Sequence, residues 1–443
     1  VARRNRAGMP PSCLRVVVDD RIVWSRGEAG AAEASSKGVE VDAMTKTTTL
    51  TKPMISSTLT ASAFLKSRPA GAYTTARTSS RGTRVFDLAH HIERLANSAV
   101  LLGGGGSGSG EKAPPSLPPP PKALGDASLL RPRVLALLRL GLLDSAGESP
   151  DPALGHEGEF RVTILATWNG ENEKGKDFFS LSLHVAPLPP PPRQPVSALI
   201  LGSSSSNSSS SSSSHGGRSR AAAKSTSWVS ERAALEARGK GAGAEEVLLV
   251  EEEESEEEEE KEKGGGKKKR KRLLILEGLS SNFAAVLPRG GAKSEKEEED
   301  KTRYGEGFEL QTAGGDRVLS GTVRGLLLDV ASRAGLLVRN SVCPAVEEAS
   351  SQAWVGCLLL STSRLALPVA ELLREEEKAA EVKEAETKEA EEEKDNGRVE
   401  KTLVVVASFR KEKEFHPVIR RLSEEVAAAV EGAASESILL EAS

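Results

Sequence analysis

Residues 273–286 read Leu-Leu-Ile-Leu-Glu-Gly-Leu-Ser-Ser-Asn-Phe-Ala-Ala-Val. An aliphatic run, Leu273 to Leu276, reaches a single carboxylate, Glu277, then turns through Gly278, Ser280, Ser281 and Asn282. A second apolar run, Phe283 to Val286, follows at once. Two short apolar segments joined by Gly, Ser and Asn predict strand, tight connection, strand. Glu277 is the odd member, because a carboxylate closing a run that should be buried needs a cation or hydrogen-bond donors. The plainer reading ends the strand at Leu276 and leaves Glu277 in water.

Working outward towards the N-terminus, Val247 to Val250 and Leu273 to Leu276 predict adjacent antiparallel strands. Between them lie an acidic arm (251–260), three glycines (264–266) and a basic arm, Lys267 to Arg272. An extended hairpin would set the two arms face to face, although each exposed pair adds only about 0.2–1 kcal/mol. A nucleic-acid or nuclear-targeting patch at Lys267 to Arg272 is the competing idea, and the neighbouring acids count against it. Earlier still, Lys224 sits in Ala221 to Trp228, eight residues of mostly Ala and Ser, where spacing alone predicts a solvated lysine. A nearly pure serine run at 203–214 is disordered by composition. Pro187 to Pro195 is a stiff, polyproline-like linker.

In the first part of the chain, Leu14 to Trp24 predicts a hairpin turning at Asp19 and Asp20. Gly71 to Thr78 alternates β-branched and polar residues as a half-buried strand does. Val85 to Leu101 predicts a helix, with Asp87 at its N-cap and Leu88, Ile92, Leu95 and Ala99 at helical spacing. His90 and His91 have no metal-binding partner at useful spacing and read as structural, so no metal is expected. A Leu-rich helix near 129–143 and paired strands at Phe160 to Trp168 and Phe178 to Val185 complete this part.

Beyond the central stretch, Phe308 to Thr312 predicts a strand and Leu326 to Leu337 a helix. Gly321 and Thr322 at that helix start would leave backbone N–H groups pointing at an anion. Val355 to Val369 is apolar around Ser361, Thr362 and Ser363. A Glu/Lys/Ala-rich segment, 374–395, predicts an exposed helix, followed by strand Leu403 to Phe409 and helix Pro417 to Val430.

Composition bounds the rest. The 443 residues could fill two or three ordinary domains, but the biased tracts leave enough for one compact protein. Aromatic residues make up 3%, so the core must be built from Leu, Val, Ala and Ile. A formal charge of −4 speaks neither for nor against nucleic acid. Three cysteines without a repeating spacing favour a reducing compartment over a disulfide framework. No apolar run approaches the roughly 18 residues that span a bilayer, which predicts a soluble chain without a membrane partner. Val1 to Ala7 carries three arginines and could be the remnant of a transit peptide. A cytoplasmic location is favoured, with an organelle as the alternative.

Leu276-Glu277-Gly278 with Ser281-Asn282-Phe283 resembles the EG-x-x-x-N-(L/F) signature of class IV aminotransferase-like enzymes. These are fold-type IV pyridoxal-phosphate proteins, among them branched-chain and D-amino-acid aminotransferases and aminodeoxychorismate lyase. Further segments resemble that family's motifs in its order. His91-Ile92-Glu93-Arg94-Leu95 is similar to H-(L/M/I)-x-R-L, and Gly321-Thr322-Val323-Arg324 to G-(I/V)-(T/I)-R with two positions exchanged. Val355 to Val369 is similar to E-(V/A)-F-x-(T/S)-(S/G)-(T/S) followed by Pro-Val. Ala223-Lys224 with Trp228, Val229 and Arg232 matches A-K-x-x-x-W-V-x-x-R, a pattern of a plant and algal subgroup.

The resemblance implies an α/β, two-lobed fold: a smaller N-terminal lobe (13–186), a linker (187–197) and a larger pseudo-barrel lobe (198–443). Insertions fall near 203–217, 251–272 and 371–399. It implies pyridoxal 5'-phosphate as cofactor, Lys224 as the Schiff-base lysine, and Glu277 opposite the pyridine nitrogen. Arg94, Thr322, Val323 and Thr362 would hold the phosphate, and Tyr73, Arg77 and Ser363 would meet the substrate. It further implies an amino acid/2-oxo acid pair as substrates and a homodimer. Where many members have a tyrosine shortly after the lysine, this chain offers only Trp228, whose indole can donate. An aminotransferase is the first expectation. A 4-amino-4-deoxychorismate-type lyase and a diverged, non-catalytic protein of the same fold are the alternatives.

Overall fold

A computed structural model describes residues 16–23, 54–55, 59–79, 82, 84–104, 117–147, 159–171, 177–188, 192, 195–201, 222–256, 269–289, 304–377, 401–411, 414–432 and 436–437. The serine run, the tip of the charged tract (257–268), residues 378–399 and Val1 to Ala7 lie outside the described residues.

The architecture is mixed α/β. Strands β1 (Val16–Val23), β2 (Met54–Ile55), β3 (Gly71–Ser79), β4 (Arg84–Val85), β5 (Phe160–Glu171), β6 (Asp177–Pro187) and, from the far end of the chain, β19 (Glu436–Ser437) form one sheet, in the order β19-β4-β3-β5-β6-β1-β2. Helices α1 (Ala61–Lys66), α2 (Leu88–Gly103), α3 (Lys122–Gly125) and α4 (Ala127–Gly147) accompany it. Its core sets Leu88, Ile92 and Leu95 of α2 and Leu130, Val134 and Leu137 of α4 against Val162, Ile164, Leu181 and Leu183 of β5 and β6. The predicted strand pair is there, antiparallel from Phe160↔Pro187 onward. The predicted hairpin at Asp19-Asp20 is not. β1 runs straight through both aspartates, with Asp19 opposite Ser182 and Asp20 opposite Leu181. The ladder with β6 runs unbroken through both aspartates and satisfies, along that edge, backbone groups that a turn would have exposed.

The second sheet holds β7 (Ser197–Leu201), β8 (Glu246–Glu256), β9 (Lys269–Gly278), β10 (Asn282–Pro288), β11 (Phe308–Gln311), β12 (Leu337–Arg339), β13 (Gly356–Ser361), β14 (Leu365–Val369), β15 (Glu371–Glu377) and β16 (Lys401–Ser408). Around it lie α5 (Thr226–Glu231), α6 (Ala233–Gly241), α7 (Thr322–Arg333), α8 (Val346–Ser350) and α9 (Pro417–Gly432). A short ribbon, β17 (Arg410–Lys411) with β18 (Glu414–Phe415), precedes α9. The Glu/Lys/Ala segment begins as strand rather than helix, because Arg374 to Glu377 continue β15 in register with β16.

The central stretch explains itself here. β10 is buried on both faces: Phe283, Ala285 and Leu287 enter one core with Trp354 and Leu359, while Ala284 and Val286 enter another with α7 and α9. A strand buried on both faces reads as an uninterrupted apolar run. β9 and β10 are joined tightly but share one pairing, Glu277↔Asn282. β9 ladders instead with β8, and β10 with β11 and β13. The β8–β9 hairpin extends into the charged arms, with Glu253 opposite Arg272, Glu254 opposite Lys271, and Lys271 Nζ 3.3 Å from Glu252.

Candidate functional site

A cleft opens where the two sheets meet, lined by Tyr73, Arg94, Lys224, Trp228, Arg232, Glu277 to Asn282, Leu319, Gly321 to Val323 and Leu360 to Thr362, among others. Its floor is the turn after β9. Gly278 N–H donates to Ser281 O (2.7 Å), and Leu279 N–H to Val247 O (3.0 Å). Gly278 is required, since a Cβ there would lie 2.6 Å from Ser281 Oγ and 2.8 Å from Glu246 Cγ. Asn282 Nδ2 donates to Glu277 Oε2 (3.3 Å) and to Leu319 O (2.9 Å), while Leu319 N–H donates to the same Oε2 (3.1 Å). Gly321 lets its segment approach, because a Cβ there would meet Asn282 Oδ1 at 2.0 Å. Glu277 is thus held by two neutral donors in a half-buried site. Burial pushes its carboxyl up to about 8, against the pull of the Leu319 N–H and Lys224.

Lys224 enters from the other side. Its carbonyl accepts from Tyr73 N–H of β3 (2.9 Å), its own N–H donates to Ser98 Oγ of α2 (3.1 Å), and Ser225 bridges to Ala72. Its Nζ stands 5.4 Å from the Tyr73 ring centroid. Burial, then the charges of Arg94 and Arg232, hold the amine well below its ordinary range, with Glu277 opposing.

Arg94, on α2, is buried. It donates through Nη2 to Thr74 Oγ1 (2.8 Å) and through Nη1 to Ser320 O (3.2 Å), the residue two before α7. His91 Nδ1 lies 2.9 Å from both Nη2 of Arg94 and Oγ1 of Thr74. Burial, then Arg94, Lys224 and His90, drive His91 well below its usual range, so its ring is neutral and accepts from the guanidinium. Arg94 Nε and Thr322 Oγ1 are buried with no hydrogen-bond partner. The first N–H groups of α7, at Thr322 and Val323, have no side-chain cap from Gly321.

The opposite wall is the turn between β13 and β14, where Ser361 pairs with Leu365 across Thr362, Ser363 and Arg364. Leu365 is held at φ 57°, the left-handed conformation that closes this turn. The turn is tied to the floor by Arg364: Nη2 donates to Glu246 Oε2 (2.5 Å) and to Ser280 Oγ (2.9 Å), and Nε to Ser361 Oγ (3.3 Å). The buried Glu246 carboxylate also accepts from Ser280 Oγ (2.7 Å) and Ser281 Oγ (2.9 Å).

Seven of the nine expected residues therefore meet in the cleft: Lys224, Glu277, Arg94, Thr322, Val323, Thr362 and Tyr73. Arg77 and Ser363 are not among its lining residues. Arg77 lies four residues further along β3 than Tyr73, about 13 Å at 3.3 Å per residue. It is buried there, and the charges nearest it are Glu159 and Glu431. Lys224 itself precedes α5 and belongs to no named strand. Trp228 does not offer its indole to the cleft, because Nε1 donates to Leu279 O (3.1 Å). Sequence reasoning missed His91, Arg232, Glu246 and Arg364. Arg232 had a signal, eight residues after Lys224 across one short helix; the Glu246–Arg364 pair, 118 residues apart, had none.

No protein-family model matches the chain, and no curated protein sequence matches it. Among solved structures the chain is similar to a hypothetical aminotransferase from Mycobacterium tuberculosis in its PLP-bound form (TM-score 0.48, 17% identity, 85% of this chain and 96% of that one). It is similar to a fold IV transaminase from Curtobacterium pusillum (TM-score 0.47, 16% identity, 94% and 97%). It is also similar to the branched-chain amino acid aminotransferase of Escherichia coli (TM-score 0.44, 15% identity, 83% and 87%).

Proposed function

We propose that the chain is a pyridoxal-phosphate-dependent class IV aminotransferase acting on an amino acid/2-oxo acid pair, with Lys224 as the covalent attachment point. One observation carries this: a half-buried lysine amine, held well below its ordinary range, and a half-buried carboxyl, raised to about 8, share a cleft with Arg94 and with donors that have no partner. The residues fit the cofactor. Arg94 Nε and Thr322 Oγ1 are buried without partners, and α7 presents free N–H groups beside them, a donor set suited to a phosphate. Glu277, raised to about 8 by burial, suits a protonated ring nitrogen. Thr362 would complete the phosphate cradle. The proposed division at 187–197 puts Arg94 and Tyr73 on one side of the linker and Lys224, Glu277 and α7 on the other.

When bound, the cofactor supplies the sink for the electrons released at the substrate's α-carbon. The chain's own part is positional and electrostatic. Arg94, with neutral His91 behind it and the α7 N–H groups ahead, holds the phosphate end. Glu277, oriented by Asn282 and Leu319, keeps the ring nitrogen protonated. Lys224, its amine held well below its ordinary range by burial, takes and returns a proton at the α-carbon through Nζ. Tyr73, buried and with its hydroxyl pushed up by burial, remains neutral and walls the cleft on the β3 side.

The test is a visible spectrum of the protein with added pyridoxal phosphate, beside Lys224→Ala. The expected result is a band that borohydride fixes in the wild type and not in the variant. Identical spectra would remove Lys224 from the reading. Turnover should require a 2-oxo acid acceptor; release of pyruvate without one would point to a lyase.

A further inference from the structure

Arg232 is a cation in the cleft that none of the roles above uses. It caps the end of α5 and the start of α6, and its side chain is 16% exposed. Nε pairs with Glu236 Oε1 at 2.8 Å, one turn along α6. Nη1 donates to Leu279 O (2.9 Å), the carbonyl that also receives the Trp228 indole. The guanidinium also reaches the Tyr73 hydroxyl. Of the five N–H donors of an arginine, one on Nη1 holds the Leu279 carbonyl, while Nε, for all its ion pair, has no hydrogen-bond partner. The group is anchored at one corner while part of its fork still faces the cleft, beside Lys224.

Charge balance says what such a group meets. Arg94 and Arg232 are cationic, the Lys224 amine is held well below its ordinary range, the Glu277 carboxyl is raised to about 8, and Glu236, paired with Arg232, is exposed and outside the lining. Within the lining two guanidinium groups face the single carboxyl of Glu277, which makes the cleft a receptor for anions. They hang on different loops: Arg94 on Ser320 O, just before α7, and Arg232 on Leu279 O, in the turn after β9. One anion at the α7 end therefore leaves Arg232 matched only from outside the cleft, by exposed Glu236. Arg232 also lies close enough to Lys224 to depress its amine.

We propose that Arg232 is the binding residue for a substrate carboxylate: a planar carboxylate accepting from its remaining N–H groups, with Tyr73 beside it. The identity of that ligand as an amino acid or 2-oxo acid rests on the aminotransferase reading, whereas the carboxylate site rests on the cleft's geometry alone. An arginine fork matches a carboxylate in shape as well as charge, which Lys does not. The site then selects substrates that carry the carboxylate over amines and carbonyls that lack it.

The experiment measures binding, not turnover. Calorimetric titrations of pyruvate and of its uncharged methyl ester are run on the wild type, Arg232→Gln and Arg232→Lys, each without added cofactor. The wild type should prefer pyruvate to the ester. Arg232→Gln should bind pyruvate roughly 10–100-fold more weakly and lose that preference, with ester binding unchanged. Arg232→Lys, which keeps the charge but not the fork, should fall between them. A wild type that binds no pyruvate, or an Arg232→Gln protein that keeps the full preference, overturns the proposal. The spectrum with Lys224→Ala is recorded separately, so a chain that takes no cofactor but selects carboxylates through Arg232 would sink the aminotransferase reading alone.

Discussion

Glu277 shows how a single residue's environment becomes a measurable property. Its carboxyl is raised to about 8, against an unfolded value near 4.5. Between those values the folded chain binds a proton that the unfolded chain has released, so this group's contribution to stability falls as pH rises through the window. Glu277→Gln removes that loss. Thermal unfolding of the two apoproteins from pH 5 to pH 9 should show the variant gaining on the wild type, by on the order of a few kcal/mol at the alkaline end. Parallel curves would mean that Glu277 is solvated. At this scale sequence legibility was uneven. Glu277 stood out because a carboxylate interrupts an aliphatic run, and Lys224 only because motifs flank it. Arg77, expected at the substrate from the family resemblance, is not among the cleft's lining residues; strand alternation gives a side chain's face but not how far along the strand the cleft reaches.

Elements that bury one clear apolar pattern were legible: α2 through Leu88, Ile92 and Leu95, and β5 with β6 through alternating cores. The β1 hairpin was misread because two aspartates look like a turn when the partner strand, some 160 residues away, is out of sight. The same blindness hid the tie between Glu246 on β8 and Arg364 in the β13–β14 turn. Its energetics follow from burial. Arg364→Met would strand the Glu246 carboxylate among Ser280 and Ser281, and denaturant unfolding should show a loss of roughly 3–5 kcal/mol. Adding Glu246→Gln should recover a substantial part of it, because an amide can remain without a counter-charge. Additive losses in the double variant would show that the two side chains do not depend on each other.

Across the whole molecule, the cleft is assembled from both sheets, so ligands should stabilise the chain as a unit. Inorganic phosphate alone should raise the midpoint of thermal unfolding in the wild type and scarcely at all in Arg94→Gln. At about 100 times its dissociation constant a ligand adds about 2.7 kcal/mol. An equal shift in both proteins would place the anion elsewhere. The convergence itself was beyond single-sequence reading: Arg94 and Ser320 are 226 positions apart and Gly71 and Thr226 155, yet hydrogen bonds join each pair.

Lys224 is stitched by its own backbone to β3 and α2, while Glu277 closes β9 of the other sheet. Amine and carboxyl are therefore anchored to different sheets, although both follow the linker, and the burial of the cleft between them sets their chemistry. If the sheets part, water reaches both groups; the amine climbs back towards its protonated range and the carboxyl drops back to an ordinary anion. A more open cleft thus leaves a less reactive amine, since only the unprotonated form is nucleophilic. The rate at which an amine-directed reagent labels Lys224 at neutral pH becomes a gauge of how tightly the two halves are shut.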